Sequence, residues 1–309
     1  MRWQQGRRSR NVVDQRRGRA SAGRGSPARR GGSKLGGLMT IGIVVAGLIF
    51  GFNPMKLLNL TGGGGLGGAS SGFGGGGPLA PRGGGLEYDA SAKKDDEAGQ
   101  FVASILGFTE DTWTEIFRQH GAKYEPPKLV RFEGSVRSAC GTQSSAAGPF
   151  YCPGDKQVYI DTAFFRELQN MGAPGDFAMA YVIGHEVAHH IQNLEGTSMT
   201  VQRRQRQVSK IDANRLSVLT ELQADCYAGV WAHHTQKRTQ FLEEGDLAEG
   251  LNAAAQIGDD VLLRKAGHTP HESMYTHGSS KERQQWFTEG LRNGKVENCN
   301  TFRQAGVRL

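Results

Sequence analysis

The sequence predicts an α+β domain, mostly helical with a small β-sheet, preceded by a basic tail, one apolar segment and a glycine-rich linker. Beyond Asp95, apolar residues recur at helical spacing over most of the chain, while the runs rich in β-branched and aromatic residues are short. More than half of the 45 glycines precede that point, so the first 94 residues contribute little to a core. The remaining two-thirds of the 309 residues is ample for one domain.

Taken in order, residues 1–34 carry eleven Lys or Arg against the single acid Asp14, more than the whole formal net charge of +7. This segment is expected to be a disordered cytoplasmic tail. Its basic excess sits among Gly and Ser with no aromatic interleaving beyond Trp3, so no nucleic-acid partner is expected. Residues 35–52 contain no charge and span ~27 Å as a helix, enough for a bilayer core. Five glycines in that run would be costly in a water-soluble helix and are better accepted in a membrane one. The arginines on its N-terminal flank orient it with the N-terminus in the cytoplasm. The chain is thus expected to be a single-pass membrane protein whose folded domain is periplasmic or otherwise extracytoplasmic. A cleaved signal peptide is the competing reading, disfavoured by the long basic lead and the lack of a nearby small-x-small site. Residues 53–94, dominated by Gly-Gly-Gly-Gly and Pro-Arg-Gly-Gly-Gly, read as a flexible linker.

The folded domain is placed at 95–309. Phe101, Val102, Ile105 and Leu106 follow acids at helical spacing, and a second helix is expected from Asp111 to His120. Lys128 to Phe132 and Gln157 to Ile160 read as strands around a Gly/Ser-rich loop. Helices are then expected over Asp176 to Leu194, Thr200 to His234, Leu247 to Leu263 and Lys281 to Arg292.

The first of these four carries the chemistry. In His185-Glu-Val-Ala-His189, four residues make slightly more than one turn, so both imidazoles project from one face and can share a tetrahedral metal. Glu186 is offset by about 100°, which points it at water beside the metal, where a general base belongs. The apolar neighbours Gly184, Val187 and Ala188 make the helix look buried, so its polar groups need partners. His190 turns to another face and receives no metal role. A third ligand at metzincin spacing is absent, since Gln192 and Glu195 stand where Gly and His are wanted. Glu221, on a later apolar helix, supplies it instead, with Asp225 one turn beyond to accept a hydrogen bond from a ligand imidazole. For Asp225 a structural salt bridge is the alternative.

These residues resemble the neutral zinc metallopeptidase family of bacterial membrane-anchored proteins. The likeness runs from Met1-Arg-Trp-Gln through Cys140-Gly, Gly148-Pro-Phe-Tyr-Cys-Pro153, Val158-Tyr-Ile-Asp161, Gly184-His-Glu-Val-Ala-His-His190 and Glu221-Leu-Gln-Ala-Asp-Cys226 to Thr276-His-Gly-Ser-Ser280. It implies a cell-envelope protein with a zincin-like domain, ligand roles for His185, His189 and Glu221, and the base role for Glu186. It implies little about substrate.

Four cysteines in a domain expected to face an oxidising compartment point to disulfides. Cys140 with Cys152 would staple a loop without a core of its own. Cys226 then pairs with Cys299 by exclusion, or stays a buried thiol. His277, in a loop before a helix capped by Ser279 or Ser280, is the first candidate for an oxyanion donor, with Tyr275 and Arg283 as alternatives. Bracing of the C-terminal helices is its structural alternative. His120, His233, His234, His268 and His271 have no spacing that demands chemistry. The expected function is zinc-dependent peptide-bond hydrolysis, with one Zn2+, water activated by the metal, Glu186 as general base, and an envelope peptide or protein as substrate. The alternative is a non-catalytic, zinc-stabilised module recruiting envelope partners. Such a module would close its metal site with four protein ligands, whereas only three are found.

Overall fold

A computed structural model describes residues 1–16 and 96–309. The apolar run 35–52 and the linker 53–94 lie outside the described residues. Among the described residues, no helix is long and apolar enough to cross a membrane.

The order of elements is β1 (Val12–Asp14), α1 (Glu97–Gln119), β2 (Lys128–Phe132), β3 (Ser135–Ser138), β4 (Gly141–Ser144), β5 (Phe150–Cys152), β6 (Gln157–Asp161), α2 (Ala163–Asn170), α3 (Asp176–Leu194), α4 (Thr197–Gln205), α5 (Lys210–Thr239), α6 (Asp246–Gln256), α7 (Asp259–Lys265), α8 (Ser280–Asn293) and α9 (Thr301–Gln304). The domain is mostly helical α+β with a small mixed sheet in the order β1-β2-β6-β5. β2 runs parallel to both β1 and β6, while β5 is antiparallel to β6. β6 is therefore interior, flanked by β2 and β5. Residues 135–144, which include the first part of the loop expected from Ser138 to Pro149, close into the hairpin β3–β4.

Three helix boundaries differ from the sequence reading. A single α1 replaces the two expected helices, because Gly107 is held by tertiary contacts where isolated propensity would break the run. The long helix after Thr200 divides at residues 206–209, where the Ser209 hydroxyl accepts from the Asp212 N–H and caps α5. Gly258 similarly separates α6 from α7. By contrast α3 spans Asp176–Leu194 as expected, and Ser279 forms a capping box with Glu282 at the start of α8.

The core centres on α3, α5 and α8. Val187, Ala188, Ala228, Val230, Trp231 and Phe287 are fully buried. α5 and α8 approach so closely that a Cβ on Gly290 would stand 1.9 Å from the Cys226 carbonyl oxygen. Phe177, Trp231, Phe241 and Phe287 pack ring against ring below the start of α3. The disulfides Cys140–Cys152 and Cys226–Cys299 are both formed. The first braces the hairpin region, and the second fixes the segment before α9 to α5.

The expectation of a disordered tail is corrected for residues 1–16. Trp3 is buried edge-on against Phe101, and Val12, 1 % exposed, enters the sheet as part of β1. The physical reason is pairing: Arg2 meets Glu243, Arg7 meets Glu110 and Asp111, and Arg16 meets Asp96, so three of the five arginines are matched by acids of the body.

Candidate metal centre

α3 and α5 pack against each other in the core through buried residues such as Gly184, Val187 and Ala188 on one and Ala224, Ala228 and Trp231 on the other, and this packing brings His185 and His189 to Glu221. The Nε2 of His185 lies 3.1 Å from Glu221 Oε2, and the Nε2 of His189 lies 3.4 Å from Glu221 Oε1. One ligand atom from each residue falls within 4.8 Å of the others. Two ligands bound at ~2.0–2.1 Å to a tetrahedral zinc stand about 3.3 Å apart. The donor set and its spacing fit that ion.

Both imidazoles are fixed from behind through Nδ1, which turns each Nε2 toward the centre. His185 Nδ1 is 2.8 Å from Asp225 Oδ1. Asp225, with no exposure, also accepts from the Tyr181 hydroxyl at 2.5 Å and from Arg283 at 2.8 and 3.0 Å. His189 Nδ1 is 2.8 Å from Gln192 Oε1, and the Gln192 amide donates to the Thr220 carbonyl and to Gln223 Oε1. One histidine thus leans on a charged partner and the other on a neutral amide.

The electrostatics favour a cation between these groups. Burial opposes charge on His185, yet Asp225 and Glu221 outweigh it and raise the imidazole to about 10. His189 is raised against burial by Glu221. Burial would lift the Glu221 carboxyl, but both histidines hold it well below the usual carboxylate range. A proton or a metal ion answers the same demand for positive charge. Glu186 stands beside the cluster without joining it, 8 % exposed, and burial pushes its carboxyl upward. A raised carboxyl is suited to taking a proton near neutrality.

His277 reaches the same neighbourhood from the loop before α8, close enough for its charge to act on Glu221. Asp259 organises that loop. One of its oxygens accepts from the N–H groups of Thr276, His277 and Gly278, at 2.6, 2.6 and 3.0 Å, and the other lies 3.1 Å from His277 Nδ1. Burial opposes protonation of His277, but Asp259 and Glu221 raise it. Of the two alternatives to His277, Arg283 is committed to Asp225 behind the metal ligand, and Tyr275 packs with Leu263 in a satellite core.

The other residues weighed from sequence fall outside the centre. His190 bridges the Tyr151 hydroxyl and the Glu125 carbonyl, and Glu195 accepts from the Tyr227 hydroxyl. His233 and His234 reach the Leu291 and Gly294 carbonyls, His120 pairs with Glu297, and His271 caps a short turn. A second acidic group, Asp176, Asp246 and Glu249, also clusters, but the Met1 ammonium lies 3.0 Å from Asp176 and 3.3 Å from Asp246. Sequence reasoning missed Tyr181, Gln192 and Asp259. Tyr181 and Gln192 had a signal, standing four residues before one ligand and three after the other on the same helix. Asp259 had none, since its partner is 18 residues away in an irregular loop.

Two histidines and a glutamate from two packed helices, with a further glutamate held dry beside them, are the arrangement of a mononuclear zinc site in hydrolytic proteins. The chain belongs to the family described as Putative neutral zinc metallopeptidase, whose model matches residues 1–302. Among its relatives, the uncharacterized protein YpfJ of Escherichia coli K12 is 47% identical over 209 residues, 67% of this chain and 72% of that protein. The uncharacterized protein Rv2575 of Mycobacterium tuberculosis H37Rv is 37% identical over 222 residues, 68% of this chain and 74% of that one. No solved structure matches the chain.

Proposed function

We propose that the protein is a zinc-dependent peptidase with a zincin-like catalytic domain, binding one Zn2+ through His185, His189 and Glu221. The observation that carries this reading is the pair of imidazoles whose Nδ1 atoms are fixed outward, by Asp225 and by Gln192, so that both Nε2 atoms converge on Glu221. Zinc held there would supply a Lewis acid for the scissile carbonyl and lower the pKa of water. Three protein ligands leave a position open, which a catalytic site requires.

Within that site Glu186 takes the proton from the attacking water and passes it to the leaving amine. Its burial supports the role, because a desolvated carboxylate is a stronger base than one in water. His277, braced by Asp259 through Nδ1, presents its other nitrogen as a hydrogen-bond donor to the oxyanion that develops on the carbonyl. Asp225 holds His185 in the tautomer that keeps Nε2 free for metal, and Tyr181 and Arg283 hold Asp225 in turn.

The test compares the full-length chain with Glu186→Gln, each purified with zinc and incubated with a mixed peptide library analysed by mass spectrometry. The native protein is expected to bind one zinc and create new peptide termini, and the variant to keep its zinc and lose nearly all cleavage. Equal cleavage by both, or a native protein without stoichiometric zinc, would overturn the reading.

A further inference from the structure

Residues 1–16 contain five arginines, the composition of a solvated tail, yet they run across the body as a strap. The Ser104 hydroxyl of α1 donates to the Trp3 carbonyl. Ser9 and Asn11 both donate to Glu110 Oε1, at 2.5 and 2.7 Å, while Arg7 takes the other Glu110 oxygen at 2.7 Å. Gly107, in the middle of α1, marks the crossing: a Cβ there would lie 2.5 Å from the Arg7 carbonyl oxygen, and the other neighbours it would meet also belong to Arg7. At one end the strap reaches the helices that bear the metal ligands, with the Arg2 N–H on the Phe241 carbonyl just past α5 and the Met1 ammonium on Asp176, the first residue of α3. At the other end Arg16 lies 2.5 Å from Asp96, so the points at which the described chain stops and resumes are held together by an ion pair.

This placement conflicts with a single membrane crossing by residues 35–52. One crossing would put residues 1–16 and 96–309 on opposite sides of the bilayer. β1 could not then pair with β2, nor Trp3 reach Phe101, within one molecule. We infer that residues 1–16 are a docked strap of the catalytic body and lie on the same side of the membrane as that body. The inference stands on packing alone and is independent of the peptidase reading.

Two measurements on the full-length chain test it. In spheroplasts expressing Arg10→Cys or Lys123→Cys, both at exposed positions, a membrane-impermeant maleimide should label both sites or neither, with detergent lysis as the control. Labelling of one site and protection of the other until lysis would overturn the shared compartment. In the purified chain, Gly107→Ala reads docking by the sign of its effect. An unstrapped α1 would gain helix propensity from alanine and melt at the same or a higher temperature. A docked strap places the new Cβ against backbone, and the melting temperature should fall by roughly 4 °C or more. An unchanged or raised value would overturn the docking.

Discussion

Replacing Arg283 with Met keeps much of the side chain's length and removes its charge, which isolates its effect on Asp225. The guanidinium is 2 % exposed and contacts both Asp225 oxygens, at 2.8 and 3.0 Å, with further bonds to the Ile257 carbonyl and the Tyr181 hydroxyl. Breaking a buried ion pair from one side costs about 3–5 kcal/mol, because the remaining charge stays in the interior without its partner. Asp225 retains the Tyr181 hydroxyl and His185 Nδ1, so the low end applies, and Arg283→Met is expected to lose about 3 kcal/mol. For a domain of this size that corresponds to a fall in melting temperature of roughly 6–12 °C. Thermal unfolding by circular dichroism should be followed for Arg283→Met, Asp225→Asn and the double variant. The double is expected to be less damaged than the sum of the singles by about 2 kcal/mol, since each single leaves a buried group unpaired and the double leaves none charged. Zinc competition against a chelator should show a 10–100-fold weaker site in Arg283→Met, because Asp225, which orients His185, is no longer held by the guanidinium. A melting temperature within 1 °C of native, or strict additivity, would refute this account of the network.

His277→Ala should keep zinc content and melting temperature and lose about 100-fold or more in turnover, the scale of one oxyanion donor; lost zinc would mean that the loop braces the site instead. Gly290→Ala should be among the most damaging small substitutions, because its Cβ would meet the Cys226 backbone at 1.9 Å and force α5 and α8 apart, and a soluble variant melting like native would contradict the crossing. The Asp96 carboxyl is opposed by burial but brought to about 2, from an ordinary 3.8, by Arg131, its helix N-cap bond and Arg16. Its folded value is depressed, so its contribution is complete above pH 3.8 and disappears as pH falls toward 2. Native protein should therefore lose about 1 kcal/mol more than Asp96→Asn over that window, after allowance for solvent screening. Parallel acid-unfolding curves would exclude the pairing.

The sequence by itself determined whatever depends on spacing within one helix. His185, Glu186 and His189 are set by the period of α3, and Glu221 with Asp225 by the period of α5, because an i to i+4 step fixes a face without reference to the rest of the chain. The start of α8 was legible as a cap at Ser279 or Ser280, and the structure places it at Ser279. Tertiary structure decided what those faces meet. Arg283 could be read as a candidate for the cleft, but burial against Asp225 gives it a partner 58 residues away, behind the ligand. Composition made residues 1–16 look like a tail, since arginines and serines carry no pattern that reveals acids waiting on α1 and α6. Gly107, unremarked in the sequence, is the gap through which that strap passes. Such contacts join segments far apart in the chain, and their stability comes from burying matched charges and apolar rings together, which no local window contains.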